Sequence, residues 1–187
     1  LSFRLSFIYN VFVSARRFKN IVLTGFMGTG KSTVGRELAR LMGMRFLELD
    51  RMIEEEVGLK IKEIFSRYGE EYFRDRESEV VKKISEREGL VISTGGGVVL
   101  RRENMDALRK KGIIVWLKAK PETILKRTLS SDERPLLNVD DPEERIRELL
   151  QKRRPYYEEA DLSVDTDGLS PLQVAERIKS LLRQYTH

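Results

Sequence analysis

The chain contains no cysteine, which excludes disulfides and thiolate metal sites. Its one histidine is His187, which argues against a histidine acid–base mechanism or a multi-histidine metal centre and points to a carboxylate as the proton acceptor. No apolar run is long enough to span a bilayer; the apolar stretch Leu5 to Val13 is short and interrupted by Ser6 and Asn10. There is no internal repeat and no low-complexity linker. The net charge of +5 is unevenly placed: residues 1–36 hold six of the 35 basic residues and none of the 30 acidic ones. The remainder is therefore close to neutral, without the basic stripe and interleaved aromatics of a nucleic-acid face.

What is present suits one domain. At 187 residues, 40% hydrophobic and 35% charged, the chain can bury a core beneath a heavily charged surface. Residues 1–19 read as an extension ahead of the core, with basic flanks faintly like those of a targeting presequence. From 20 to 187 strands and helices alternate. Ile21–Leu23, Phe46–Leu49, Leu90–Ile92, Ile113–Leu117 and Leu162–Val164 read as five strands. Helical patterns cover Ser32–Met42, stopped by Gly43, and the charged stretches Glu70–Arg87, Glu103–Lys111 and Glu143–Ala160. A last helix starts with Ser170 as cap and Pro171 at its first position, and is expected to bury Leu172, Ala175, Ile178 and Leu182. This alternation predicts an α/β fold, a parallel five-stranded sheet with helices on both faces. Ligands then bind beyond the C-terminal strand ends.

The strongest motif lies at the first such end. Gly25-Phe-Met-Gly-Thr-Gly30-Lys31-Ser32 matches G-x-x-x-x-G-K-[ST] between an apolar strand and a helix, the context that a phosphate-binding loop requires. Its backbone N–H groups can surround an anion, Lys31 can reach the β- and γ-phosphates, and Ser32 can ligate Mg²⁺. A nucleoside triphosphate is the implied ligand. The guanine-reading N-K-x-D motif is missing, and no acid ends the third or fourth strand. Glu48 and Asp50 stand instead at the end of the second, where strand alternation would put both side chains on one side. One is then available to Mg²⁺ and the other to an acceptor hydroxyl.

Three further features suit an anionic acceptor. Arg74 comes early in a long helix, Gly95-Gly96-Gly97 follows the third strand, and Arg153 lies in the basic run Lys152-Arg153-Arg154. Each also has a plain structural role open to it: a helix-face ion pair, a turn, and a solvated helix end.

In order, GFMGTGKST, FLELDRMIE, EYFRDRE, VISTGGGVV, ERPLL and KRRPYYEEA resemble shikimate kinase from Ile21 to about Asp165. The resemblance implies a three-layer P-loop kinase fold with a mobile lid at about 129–141 and an acceptor-binding region at about 51–80. It also implies ATP and Mg²⁺ as cofactors, phosphorylation of the shikimate 3-hydroxyl, and a cytoplasmic monomer with no nucleic-acid or membrane partner. By position, Gly28, Thr29, Gly30, Lys31, Ser32 and Thr33 match the phosphate loop, and Asp50, Arg74, Gly95, Gly96, Gly97 and Arg153 match the acceptor site. Arg127 and Arg134 match arginines over the adenine and the phosphates; Lys31, Asp50 and Arg134 are the implied catalytic groups, with Ser32 and Glu48 at the metal. Two positions depart from the family. Glu48 stands where Asp is common, and no adenine-contacting arginine occurs at Thr166 to Pro171. A gluconate or nucleoside-monophosphate kinase shares the scaffold but not the Arg74, triple-glycine and Arg153 set. An idle nucleotide-binding module is disfavoured by the intact Lys31, Ser32 and Asp50.

Overall fold

The computed structural model describes residues 18–128 and 141–185. Five strands, β1 (Asn20–Thr24), β2 (Arg45–Glu48), β3 (Leu90–Ser93), β4 (Gly112–Lys118) and β5 (Leu162–Asp165), form one sheet in the order β2-β3-β1-β4-β5. Every neighbouring pair is parallel. The helices are α1 (Lys31–Met42), α2 (Leu49–Val57), α3 (Ile61–Ser85), α4 (Arg102–Lys111), α5 (Pro121–Thr128), α6 (Pro142–Tyr157) and α7 (Pro171–Leu182).

Side-chain alternation along the strands builds two cores, one on each face. Ile21 and Leu23 of β1, with Val91, Ile113 and Val115, point to a core closed by Val34 and Leu38 of α1 and Ile178 and Leu182 of α7. Val22, Ile92 and Ile114 point the other way, to Ile53 of α2, Phe73 and Val81 of α3 and Leu108 of α4. Burial on both faces is why these strands read as continuous apolar runs. A smaller cluster, Phe26, Ile124, Ile146 and Leu149, seats α5 and α6 beside the first loop. The three-layer α/β architecture expected from the sequence is the one observed.

Local signals account for most boundaries. Gly43 caps α1 at φ 64°, its N–H returning to Arg40 and Ala39 carbonyls. Ser170 and Gln173 form the capping box of α7, with Pro171 following.

Several expectations fail. Asp50 is not on a strand: β2 stops at Glu48, and Asp50 sits in the first turn of α2. Leu172 is 39% exposed and Val174 takes its place in the core, because Pro171 starts the helix with Leu172 facing out. The helix expected from Glu70 is present: Gly69, at φ 81° and ψ 175°, breaks α3 into a first segment over 61–68 and a second over 70–85. Phe18 and Lys19, read as extension, join the fold: Phe18 packs on the α1/α7 core, and the Lys19 N–H donates to the Lys111 carbonyl at 2.7 Å. Residues 1–17 and the 129–140 part of the expected lid lie outside the described residues.

Asn20 ties the central strand to its neighbour. Its buried side chain donates to the Arg87 carbonyl at 2.8 Å and accepts the Leu90 N–H at 3.0 Å, fixing where β3 enters the sheet. Asn20→Ala leaves both groups unpaired and is expected to cost about 1–3 kcal/mol. Urea unfolding followed by circular dichroism measures it, and a midpoint equal to wild type would contradict this role.

Candidate functional site

The loop between β1 and α1 folds as the motif requires. Gly30, at φ 90°, is the N-cap of α1, and a Cβ on Gly25 would overlap the Leu117 carbonyl oxygen. The N-terminus of α1 therefore opens onto a cleft of about 1040 Å³ at the strand ends. Lys31 Nζ folds back onto the Gly25 and Phe26 carbonyls at 2.8 and 2.9 Å. The Ser32 hydroxyl donates to the Glu48 carboxylate, whose other oxygen lies 3.2 Å from Arg36 Nη2. Thr33 Oγ1 donates to the Gly30 carbonyl, and buried Thr29 donates to that of Phe26, bracing the loop from within.

Glu48 and Asp50 both line this cleft, although not through strand alternation. Leu49, fully buried, anchors the start of α2 in the core, and the helical turn after it brings Asp50 round beside Gly95.

The residues expected on the acceptor side converge on the loop after β3. Thr94 holds the start of that loop against β1, its N–H and hydroxyl both donating to the Leu23 carbonyl. A Cβ on Gly95 would come within 2.9 Å of both Asp50 Oδ1 and Glu77 Oε1, and one on Gly97 would lie 2.6 Å from Arg74 Cζ. These glycines are where they are because two carboxylates and a guanidinium press against the backbone. Arg74 is buried and donates to Glu77 at 2.7 Å and to half-exposed Glu70 at 3.1 Å. The helix-face ion pair is thus real, but it lies inside the protein and against the glycine loop. Burial pushes the Glu77 carboxyl up, against the opposing pull of Arg74. Glu77 Oε1 has no hydrogen-bond partner among the described residues.

Arg153 reaches the same loop from α6, and it is buried, not solvated, unlike its exposed neighbour Arg154. Its guanidinium stacks over Phe26 at 5.7 Å, and Nη1 donates to the Gly96 carbonyl at 3.3 Å. Tyr157, one helical turn later, donates to the same carbonyl at 2.5 Å. Burial pushes the Tyr157 phenol up to about 12, opposed by the nearby Arg153 charge.

Arg127, exposed on α5, reaches across the cleft mouth to the Gly28 carbonyl at 3.2 Å and to Thr166 Oγ1 and O at 3.2 and 3.3 Å. Arg134 lies outside the described residues. All the other expected site residues come together around the strand ends. Sequence reasoning missed Glu77, Tyr157 and Thr166. The spacings Arg74/Glu77 and Arg153/Tyr157, three and four apart on helices, were the available signal for the first two.

The sequence profile of the shikimate kinase family matches residues 27–183. The chain belongs to the shikimate kinase family. A shikimate kinase from Thermodesulfovibrio yellowstonii is 54% identical over 160 residues, covering 86% of this chain and 92% of that one. The structure of an Acinetobacter baumannii shikimate kinase in complex with shikimate superposes with a TM-score of 0.88 at 40% identity, over 91% of this chain and 96% of that one. A gluconokinase from Sinorhizobium meliloti 1021, 19% identical with a TM-score of 0.54 over 92% of this chain and 100% of that one, shares the fold alone.

Gly97→Ala tests the fit between the glycine loop and Arg74. With φ at −105°, the Gly97 backbone accepts alanine, so the added methyl acts only by displacing the guanidinium. The KM for the acceptor is expected to rise at least about tenfold while the KM for nucleotide holds. Unchanged acceptor kinetics would show that Arg74 is not fixed by this contact.

Proposed function

We propose that this kinase transfers the γ-phosphoryl group of ATP to the 3-hydroxyl of shikimate, giving shikimate 3-phosphate and ADP, as a cytoplasmic monomer supplying aromatic amino-acid biosynthesis. The observation that carries this reading is the pair of buried arginines, Arg74 and Arg153, brought to one glycine loop beside Asp50 and the phosphate loop. Two guanidiniums so held suit a carboxylate, which each can engage through two parallel hydrogen bonds. The shikimate carboxylate would displace Glu70, the exposed partner of Arg74, and leave buried Glu77 in place.

The ring hydroxyls then face Asp50. The carboxylate of Asp50 accepts the proton of the 3-hydroxyl as its oxygen bonds to the γ-phosphorus, and the bond from that phosphorus to the β,γ-bridging oxygen breaks to release ADP. Lys31, freed from the Gly25 and Phe26 carbonyls, and Arg134 would neutralise charge on the transferred group. Arg127, between Gly28 and Thr166, would cover the adenine.

Magnesium fits the residues present. Ser32 and Glu48 are hard oxygen donors already in contact, and Mg²⁺ takes one or two protein oxygens together with phosphates and waters. These two residues would hold it, Glu48 directly or through water. The bound ion supplies charge neutralisation on the β- and γ-phosphates.

A coupled ADP-release assay across shikimate, gluconate and nucleoside monophosphates tests the reading, and turnover is expected with shikimate alone. Asp50→Asn is expected to bind ATP normally and lose about 10²-fold or more in turnover. Turnover with gluconate in preference to shikimate would refute the acceptor, and near-normal turnover by the variant would refute the base.

A further inference from the structure

Tyr157 is 1% exposed, and its phenol donates its one proton to the Gly96 carbonyl. A phenylalanine would fill the same apolar space, since the ring is already held by stacking on Trp116 at 5.8 Å between centroids and 15° between planes. Burying the hydroxyl costs free energy unless it is bonded, so its presence is tied to Gly96. Gly96 O is also the acceptor of Arg153, four residues earlier on α6. Two donors from one helix therefore hold one peptide.

Because a peptide is planar and trans, its N–H points opposite to its C=O. Turning the Gly96 carbonyl toward α6 turns the Gly97 N–H away from it. Among the described residues, no turn or loop carbonyl accepts from the Gly96 or Gly97 N–H. The Gly97 N–H thus lies on the side of the loop away from α6, and the loop abuts Asp50 and Arg74.

We propose that Tyr157 is a positioning residue for the acceptor: its hydroxyl locks the Gly96–Gly97 peptide so that the Gly97 N–H and the Arg153 guanidinium meet the substrate in one fixed geometry. Tyr157 does not touch the reacting atoms. It acts through the glycine loop, and its effect falls on the acceptor half of the site: Gly96 also backs onto Gly25 and Met27 of the phosphate loop, but that loop is braced independently by Thr29 and Thr33. With its phenol pushed up to about 12 by burial, the hydroxyl stays protonated, and so a donor, at ordinary pH.

This inference rests on the proposed shikimate-kinase activity, and Tyr157→Phe in the full chain tests it. The KM for shikimate is expected to rise about five- to tenfold, the range set by one lost hydrogen bond. The kcat and the KM for ATP are expected to stay within about twofold of wild type. Trp116, the chain's single tryptophan, reports whether the ring has kept its place, and its emission should be unchanged. An unchanged shikimate KM, or shikimate and ATP constants rising together, would overturn the proposal. Thermal shifts give a second measurement that tolerates a less stable variant. The stabilisation by shikimate should shrink in Tyr157→Phe while that by an ATP analogue persists, and equal loss of both would overturn it. A wild-type protein inactive on shikimate would instead refute the functional reading on which this one rests.

Discussion

The ion pair between Arg74 and Glu77 is the constraint on which the glycine-loop side of the cleft depends. Both side chains are buried, and Glu77 is wholly so. Taking either charge out of water is expensive, and removing one partner strands the other at a typical cost of about 3–5 kcal/mol. The pair therefore holds as a unit, and the backbone beside it must give way. Gly95 yields to Glu77 and Asp50, and Gly97 to the guanidinium of Arg74. The absence of side chains in this loop follows from the charges behind it.

Around that constraint the fold divides its labour by strand. The exit of β1 forms the anion loop, that of β2 delivers Glu48 and Asp50, and that of β3 carries the glycine loop, with Arg127 of α5 joined to Thr166, just after β5, at the mouth of the cleft. The parallel sheet makes this possible, because all five strands end at the same edge. α6 contributes from outside the sheet. Its Arg153 and Tyr157 clamp Gly96, while Arg74 and Glu77 of α3 press against the glycines on either side of it. Two helices that share no direct hydrogen bond with each other among the described residues are thereby coupled through one short loop.

The sheet was legible because each central strand is buried on both faces, and an uninterrupted apolar run of three to five residues between turn signals is too short for a buried helix. The phosphate loop was legible because its chemistry needs particular residues at fixed spacing. Asp50 reaches the cleft by a different geometry from the strand alternation that the sequence suggests: the chain turns helical at Leu49 and brings Asp50 round by rotation. Short helices such as α2 and α5, only nine and eight residues long, carry too few turns for periodicity to stand out. Glu77 and Tyr157 were hidden for another reason. A Glu or Tyr within a charged helix looks the same in sequence whether its side chain meets solvent or the protein interior, and only tertiary packing decides which. For Arg74 the ion pair and the proposed carboxylate-binding role are compatible, since the ion pair is what holds the guanidinium against the loop.

The central claim is that Arg74 and Arg153 recognise the acceptor by its carboxylate. Steady-state kinetics with shikimate and with its neutral carboxamide, at saturating ATP, test that claim directly. The account predicts that kcat/KM for the amide falls by about 10²-fold or more, because a buried guanidinium loses its charged partner. Replacing Arg153 by Lys, which keeps the charge but loses the planar fork, should narrow that gap. An amide turned over as well as the acid by the wild-type protein would contradict the account.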